Sequence, residues 1–186
     1  MQGGKDTQIQ KQTELVNTGN PRKNRSYLRA YYYTTISFEL FGINSDIEVK
    51  VDTGSPYTVV GAQNRKLDAV LKEHLRTVGI DGRTAVEDAS GNPIGLKPQV
   101  VQNFKLTDDI VFPKVKIYFS DSLKEKAILG MDILTLFDFK YHRDDKAIWI
   151  YYEENFLETL GKKMINKNLG YIDPGLIAAM DEFPSK

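Results

Sequence analysis

Cysteine is absent from all 186 residues. That excludes disulfides, thiolate catalysis and cysteine-ligated metals. It fits a reducing compartment, and a cytoplasmic location is the expectation. Histidine is nearly as scarce, with only His74 and His142. The two are isolated and lack metal-ligand spacing, so both read as surface residues and no cofactor is expected. Net charge is also lacking, since 25 basic residues offset 25 acidic ones. A formal charge of zero gives no electrostatic basis for binding nucleic acid or an anionic membrane. No apolar run is long enough to span a bilayer. The opening Met1-Gln2-Gly3-Gly4-Lys5 lacks the apolar stretch of a signal peptide. There is no internal repeat and no low-complexity tract. What remains is a chain that is 41% hydrophobic and 27% charged, enough to bury one core and stay soluble.

Residues 1–27 are polar and read as a mobile arm, with a short helix near 8–15. Residues 31–40 are rich in Tyr, Thr, Ile and Phe, which suit a pleated surface. Gly42-Ile43-Asn44-Ser45-Asp46 reads as a turn. Ile47, Glu48, Val49, Lys50 and Val51 alternate apolar and charged, as a half-buried strand does. This predicts a hairpin that delivers Asp52 at its end. Residues 57–61 read as another strand, and Leu67, Val70, Leu71, Leu75 and Val78 predict a helix over 64–78. In 84–106, two extended arms flank an exposed turn at Ala89-Ser90-Gly91-Asn92-Pro93. A strand is expected over 111–119, with Pro113 placing its start at a sheet edge or bulge. A short apolar strand over 127–129 leads through Gly130 into a helix over 131–136. A last strand spans 147–152, and a helix over 155–167 ends with Gly170 as its C-cap. Residues 171–186 read as a loop carrying an apolar cluster of Leu176, Ile177, Met180 and Phe183.

The chemistry centres on Asp52-Thr53-Gly54-Ser55, entered from the apolar strand ending at Val51 and left through Tyr57-Thr58-Val59-Val60. Peptide hydrolysis without a metal or covalent intermediate needs a base for water and an acid for the carbonyl. Two carboxylates a hydrogen bond apart supply both, because mutual repulsion keeps one protonated while the other is ionised. Gly54 lets main chain approach a carboxylate closely. The Thr53 hydroxyl can lock the turn against a partner, and the Ser55 hydroxyl can donate to Asp52. Such a bond favours the ionised carboxylate and predicts a more acidic optimum than in a Ser55→Ala variant.

These residues resemble the retropepsin-like aspartic protease family, more its cellular and bacterial members than its viral ones. The resemblance rests on Asp52-Thr53-Gly54-Ser55, the turn at Ser90-Gly91, and Ile128-Leu129-Gly130-Met131-Asp132-Ile133-Leu134, and covers about residues 30–152. It implies an all-β fold, a closed or strongly curled acid-protease barrel with a short helix after the Leu-Gly-Met-Asp motif. A C-terminal helix is added to the minimal domain. The implied organisation is an arm over 1–27, a protease domain over 28–152 and a helical extension over 153–186. The resemblance makes Asp52 the catalytic carboxylate, with Thr53 as its cross-dimer contact and Gly54 as support for the substrate backbone. Ser90 and Gly91 become the tip of a substrate-covering flap. Ile128, Leu129 and Gly130 pack behind the active loop.

The chain holds one such triplet. Asp173-Pro174-Gly175 has Pro at the hydroxyl position, and Asp88-Ala89-Ser90-Gly91 lies in the flap. Both carboxylates therefore require a two-fold homodimer with Asp52 opposite its copy. The expected activity is an aspartic endopeptidase acting on peptide or protein substrates. Asp132 reads as a helix cap or a bond beneath the loop rather than as an acid or base. Tyr31-Tyr32-Tyr33 reads as alternating strand faces, Trp149 as core or subunit interface, and Asn103 and Asp108-Asp109 as solvated turn. Two other readings stand beside this one. One is a catalytically silent module of the same fold that dimerises or binds peptides. The other is an unrelated β-domain carrying the motif by chance.

Overall fold

The computed structural model describes residues 23–28, 33–77, 85–87, 90–144 and 147–182. The expected helix near 8–15, Tyr31, Tyr32 and Phe183 lie outside the described residues. In chain order the elements are β1 (Lys23–Leu28), β2 (Tyr33–Leu40), β3 (Ile43–Val51), β4 (Val59–Gly61), α1 (Ala69–Thr77), β5 (Ala85–Glu87) and β6 (Pro93–Gly95). They continue with β7 (Lys97–Thr107), β8 (Ile110–Ser120), β9 (Ala127–Leu129), α2 (Met131–Leu134), β10 (Asp138–His142), β11 (Ala147–Glu153), α3 (Phe156–Ile165) and α4 (Pro174–Glu182). The fold is mostly β, as expected.

Six strands close a barrel in the order β2-β3-β9-β4-β8-β7. Its core holds Ile36, Phe38, Ile47, Val49, Phe104, Phe112, Phe119 and Leu129, all nearly or wholly buried. The alternation of charge and aliphatics in β3 produces this: Ile47 and Val49 point in while Glu48 and Lys50 stay exposed. A second sheet, β1-β11-β10, lies beside the barrel. Lys23 of β1 pairs with Glu153 and Leu28 with Ile148, so strand structure begins within the segment read as an arm. Lys23-Asn24-Arg25-Ser26 is polar in sequence, but main-chain pairing to β11 does not depend on side-chain chemistry.

Several expectations are corrected. The first hairpin turns at Phe41-Gly42 rather than at 42–46. Both residues are left-handed, with φ of 53° and 75°, the two-residue geometry that matches strand twist. Ile43–Val51 is therefore all strand. Pro113 lies inside β8, not at its start. The irregularity is instead in β7: Ser37 pairs with Lys105 but Glu39 with Gln102, leaving one extra residue in β7. Asn103, with φ of 48°, sits in that bulge and not in a solvated turn. Asp108-Asp109 is the tight turn between β7 and β8, as expected. Trp149 is buried in β11.

The C-terminal region departs most. Helix α3 does not stop at Gly170. Asn168 takes the left-handed position (φ 59°), and Leu169 N–H bonds back to the Met164 carbonyl at 2.9 Å. Residues 174–182 form helix α4 rather than loop. Asp173 caps it, its Oδ1 accepting from Leu176 N–H at 3.2 Å, and Pro174 occupies the first helical position. Asp173-Pro174, inside the segment read as a loop, is thus a helix start. Leu160, Met164, Ile172 and Ile177 share the barrel's core cluster. Ile172 also bridges Val115 of β8 in parallel, and Lys116 pairs with Asp173 at 2.8 Å. The extension is built into the fold and not appended to it.

Candidate active site

Strand β9 lies between β3, parallel to it, and β4, antiparallel to it. The chain from β3 to β4 must therefore arch over the end of β9, and residues 52–58 are that arch. Three successive residues leaving β9 each bond to it. Asp52 N–H donates to the Leu129 carbonyl at 3.0 Å. Gly130 N–H donates to Thr58 Oγ1 at 3.1 Å. Met131 N–H donates to the Ser55 carbonyl at 2.8 Å. A cradle this close leaves no room at Gly130, where a Cβ would stand 2.3 Å from the Tyr57 carbonyl oxygen. Ile128, Leu129 and Gly130 thus lie beside the residues of the Asp52 arch.

At the arch, Asp52 is half-buried while Thr53 and Gly54 are exposed. Asp52 Oδ1 accepts from Gly54 N–H at 2.9 Å, an Asx-type bond that aims the carboxylate over its own turn. Gly54 allows this approach, since a Cβ there would lie 3.2 Å from the same oxygen. The Ser55 hydroxyl does not serve Asp52 as expected: it donates to the Tyr57 carbonyl at 2.8 Å. Its single proton is engaged there. Ser55→Ala is then expected to lower the melting temperature by a few degrees, corresponding to about 1 kcal/mol. An unchanged melting temperature would show that this bond does not hold the arch.

Asp132 bonds beneath the arch, but it is not the cap of α2: the N-cap is Gly130, with no side-chain bond. Asp132 Oδ1 accepts from Ile133 N–H at 2.8 Å in the first turn of α2 and from Thr58 Oγ1 at 2.7 Å beneath the arch. Its Oδ2 is buried with no hydrogen-bond partner among the described residues. Burial raises the Asp132 pKa, and the bonds from Thr58 and Ile133 oppose that rise. The folded chain thus holds this proton more tightly than the unfolded one. The resulting stabilisation is complete below the unfolded pKa and is lost as pH rises through the folded value. Thr58, fully buried, was missed in the sequence. Its signal was a hydroxyl within an apolar strand, where a buried donor demands a partner.

The turn of the β5–β6 hairpin carries Ser90 and Gly91, both exposed, with Gly91 at φ 78°. Strand β6 runs back toward the arch: Ile94 and Tyr57 pack against one small cluster of Val59, Leu96 and Tyr118. The Tyr57 and Tyr118 rings meet edge to face at 4.9 Å. His74 lies against Phe41, with ring centres 4.0 Å apart, and His142 against Trp149 at 5.9 Å. Among the described residues no cluster of His, Asp and Glu could hold a metal ion. Nor is any helix among them long and apolar enough to cross a membrane. A separate cleft of about 270 Å³, lined by Phe137, Tyr152, Phe156 and Ile177 among others, contains no residue of the Asp52 arch.

No protein-family model and no curated protein matches the chain. Among solved structures it is similar to a retropepsin-like aspartic protease from Rickettsia conorii, at 16% identity and a TM-score of 0.40. That match covers 70% of this chain and 92% of the other. It is also similar to EIAV protease complexed with the inhibitor HBY-793, at 20% identity and a TM-score of 0.35, covering 55% and 84% respectively.

Proposed function

We propose that the chain is an aspartic endopeptidase that works as a homodimer, with one Asp52 from each copy forming the catalytic pair. The observation that carries this reading is the Asp52 carboxylate on its arch. It is half-buried, aimed by Gly54, and fixed through three consecutive bonds to the residues leaving β9. A barrel serving only as scaffold has no need to hold a carboxylate this way. The exposed Thr53-Gly54 edge leaves room for a second arch to meet the first.

In the reaction, water lies between the two carboxylates. The ionised one takes its proton as the oxygen attacks the scissile carbonyl carbon. The protonated one gives its proton to the carbonyl oxygen, forming a gem-diol. That intermediate collapses as one of its hydroxyls gives a proton to the ionised carboxylate, the C–N bond breaks, and the departing nitrogen takes the proton of the other carboxyl group. The substrate is an extended peptide, bound as an added strand beneath the hairpin that carries Ser90 and Gly91.

Digestion of a denatured protein or a peptide library, followed across a dilution series with sedimentation in parallel, tests this. Specific activity is expected to climb with concentration in step with the dimer fraction. A chain that is fully dimeric yet cleaves nothing from acidic to neutral pH would overturn the proposal and favour the silent module.

A further inference from the structure

Lys97 is a lysine where burial is rare, at the first position of β7 and 5% exposed. Its ammonium donates to the Leu75 carbonyl at 2.6 Å. Leu75 lies in the last turn of α1, where carbonyls lack partners within the helix and a cation is favoured by the helix dipole. Burial pushes the Lys97 pKa down, and the charge of Asp121 opposes that shift. An ammonium held in such a place at a cost in solvation calls for a reason beyond packing.

The topology supplies one. The chain leaves α1 after Thr77, makes the β5–β6 hairpin, and returns through Leu96 to Lys97. One hydrogen bond between positions 22 apart therefore ties together the two roots of the whole excursion. Next to it, Leu96 is fully buried in the cluster where Ile94 of the hairpin meets Tyr57 of the arch. We propose that Lys97 is a positioning residue, a clamp that joins the end of α1 to the root of the β5–β6 hairpin and so sets the hairpin's register over the Asp52 arch. That this register matters for substrate rests on the protease reading. The clamp itself does not.

Amide hydrogen exchange on the full chain tests the clamp without reference to catalysis. Lys97→Met keeps the stem and removes the donor. Met164→Ala, a truncation in α3 far along the chain, serves as the control for global destabilisation. Exchange in β5 and β6 is expected to accelerate about tenfold or more in Lys97→Met, relative to the change in β7 and β8. Met164→Ala should speed both regions alike. Equal acceleration in the two variants, or an unchanged hairpin in Lys97→Met, overturns the clamp. In the unaltered protein, Lys97 is expected to resist reductive methylation that modifies exposed lysines such as Lys50 and Lys66. Methylation at their rate overturns it as well, and this holds even if Lys97→Met does not fold. Where peptides are cleaved, Lys97→Met should raise KM several-fold with a smaller change in kcat. A chain that cleaves nothing refutes the reaction, while the exchange result still decides the clamp.

Discussion

Asp52→Asn is expected to reduce peptide hydrolysis by roughly 10⁴-fold or more while leaving the fold intact. The second part follows from the bond that Asp52 makes. Its Oδ1 accepts from Gly54 N–H at 2.9 Å, and an asparagine oxygen accepts in the same way. The arch should keep its shape, so lost activity reports lost ionisation and not a lost loop. Mixing adds a sharper reading. If each site takes one carboxylate from each copy, a wild-type chain paired with the variant is inactive. Activity then follows the square of the wild-type fraction, so only about one quarter of the dimers in an equal mixture are competent. A linear dependence would mean that each chain carries a complete site, contrary to the proposal. Matching circular dichroism and melting curves for wild type and variant check that the comparison is fair.

Gly130→Ala is expected to cost about 3–5 kcal/mol of stability, a large share of the roughly 5–15 kcal/mol typical of a domain. A Cβ at Gly130 would stand 2.3 Å from the Tyr57 carbonyl oxygen, 2.5 Å from its carbon and 2.9 Å from the Ser55 oxygen. All three are backbone atoms, so no side chain can swing aside. The arch they belong to is held by the bonds from Gly130 and Met131, and moving it breaks those bonds too. Gly161 is the contrast. It lies within α3 with nothing within 4 Å of its Cβ position, so Gly161→Ala should stabilise by about 0.5–1 kcal/mol through helix propensity. Denaturant unfolding of the two variants gives both numbers. A Gly130→Ala chain within about 1 kcal/mol of wild type would mean that the arch is far more compliant than its bonds suggest.

Much of the site was legible because its elements are local. The alternation through Ile47, Val49 and Val51 marks a strand with one buried face, and Asp52 follows it. Ala127–Leu129 and the helix beginning at Met131 were likewise readable from a short apolar run and the glycine between them. The turn around Ser90-Gly91 announced itself by composition, and Gly91 does take positive φ. The misreadings also have local causes. Phe41 is an unusual residue at positive φ, so the two-residue turn was placed too late. Asp173-Pro174-Gly175 has the composition of a turn, yet Asp followed by Pro equally opens a helix. Ser55 takes the Tyr57 carbonyl, and a serine's residue type does not say which acceptor it takes.

By itself the sequence determined the carboxylate, the turn that carries it, the glycines that let backbone crowd together, and the short strand that would stand behind. These depend on neighbours a few positions away. Tertiary structure decided what holds them. Thr58 reaches Gly130 across 72 positions and Asp132 across 74, and Lys97 reaches Leu75 across 22. Likewise β1 found β11, and α3 and α4 entered the barrel's core. Such pairings arise because buried donors and acceptors must be satisfied in the one packing that closes the barrel. That packing is a property of the whole chain and leaves no periodic mark on any segment of it.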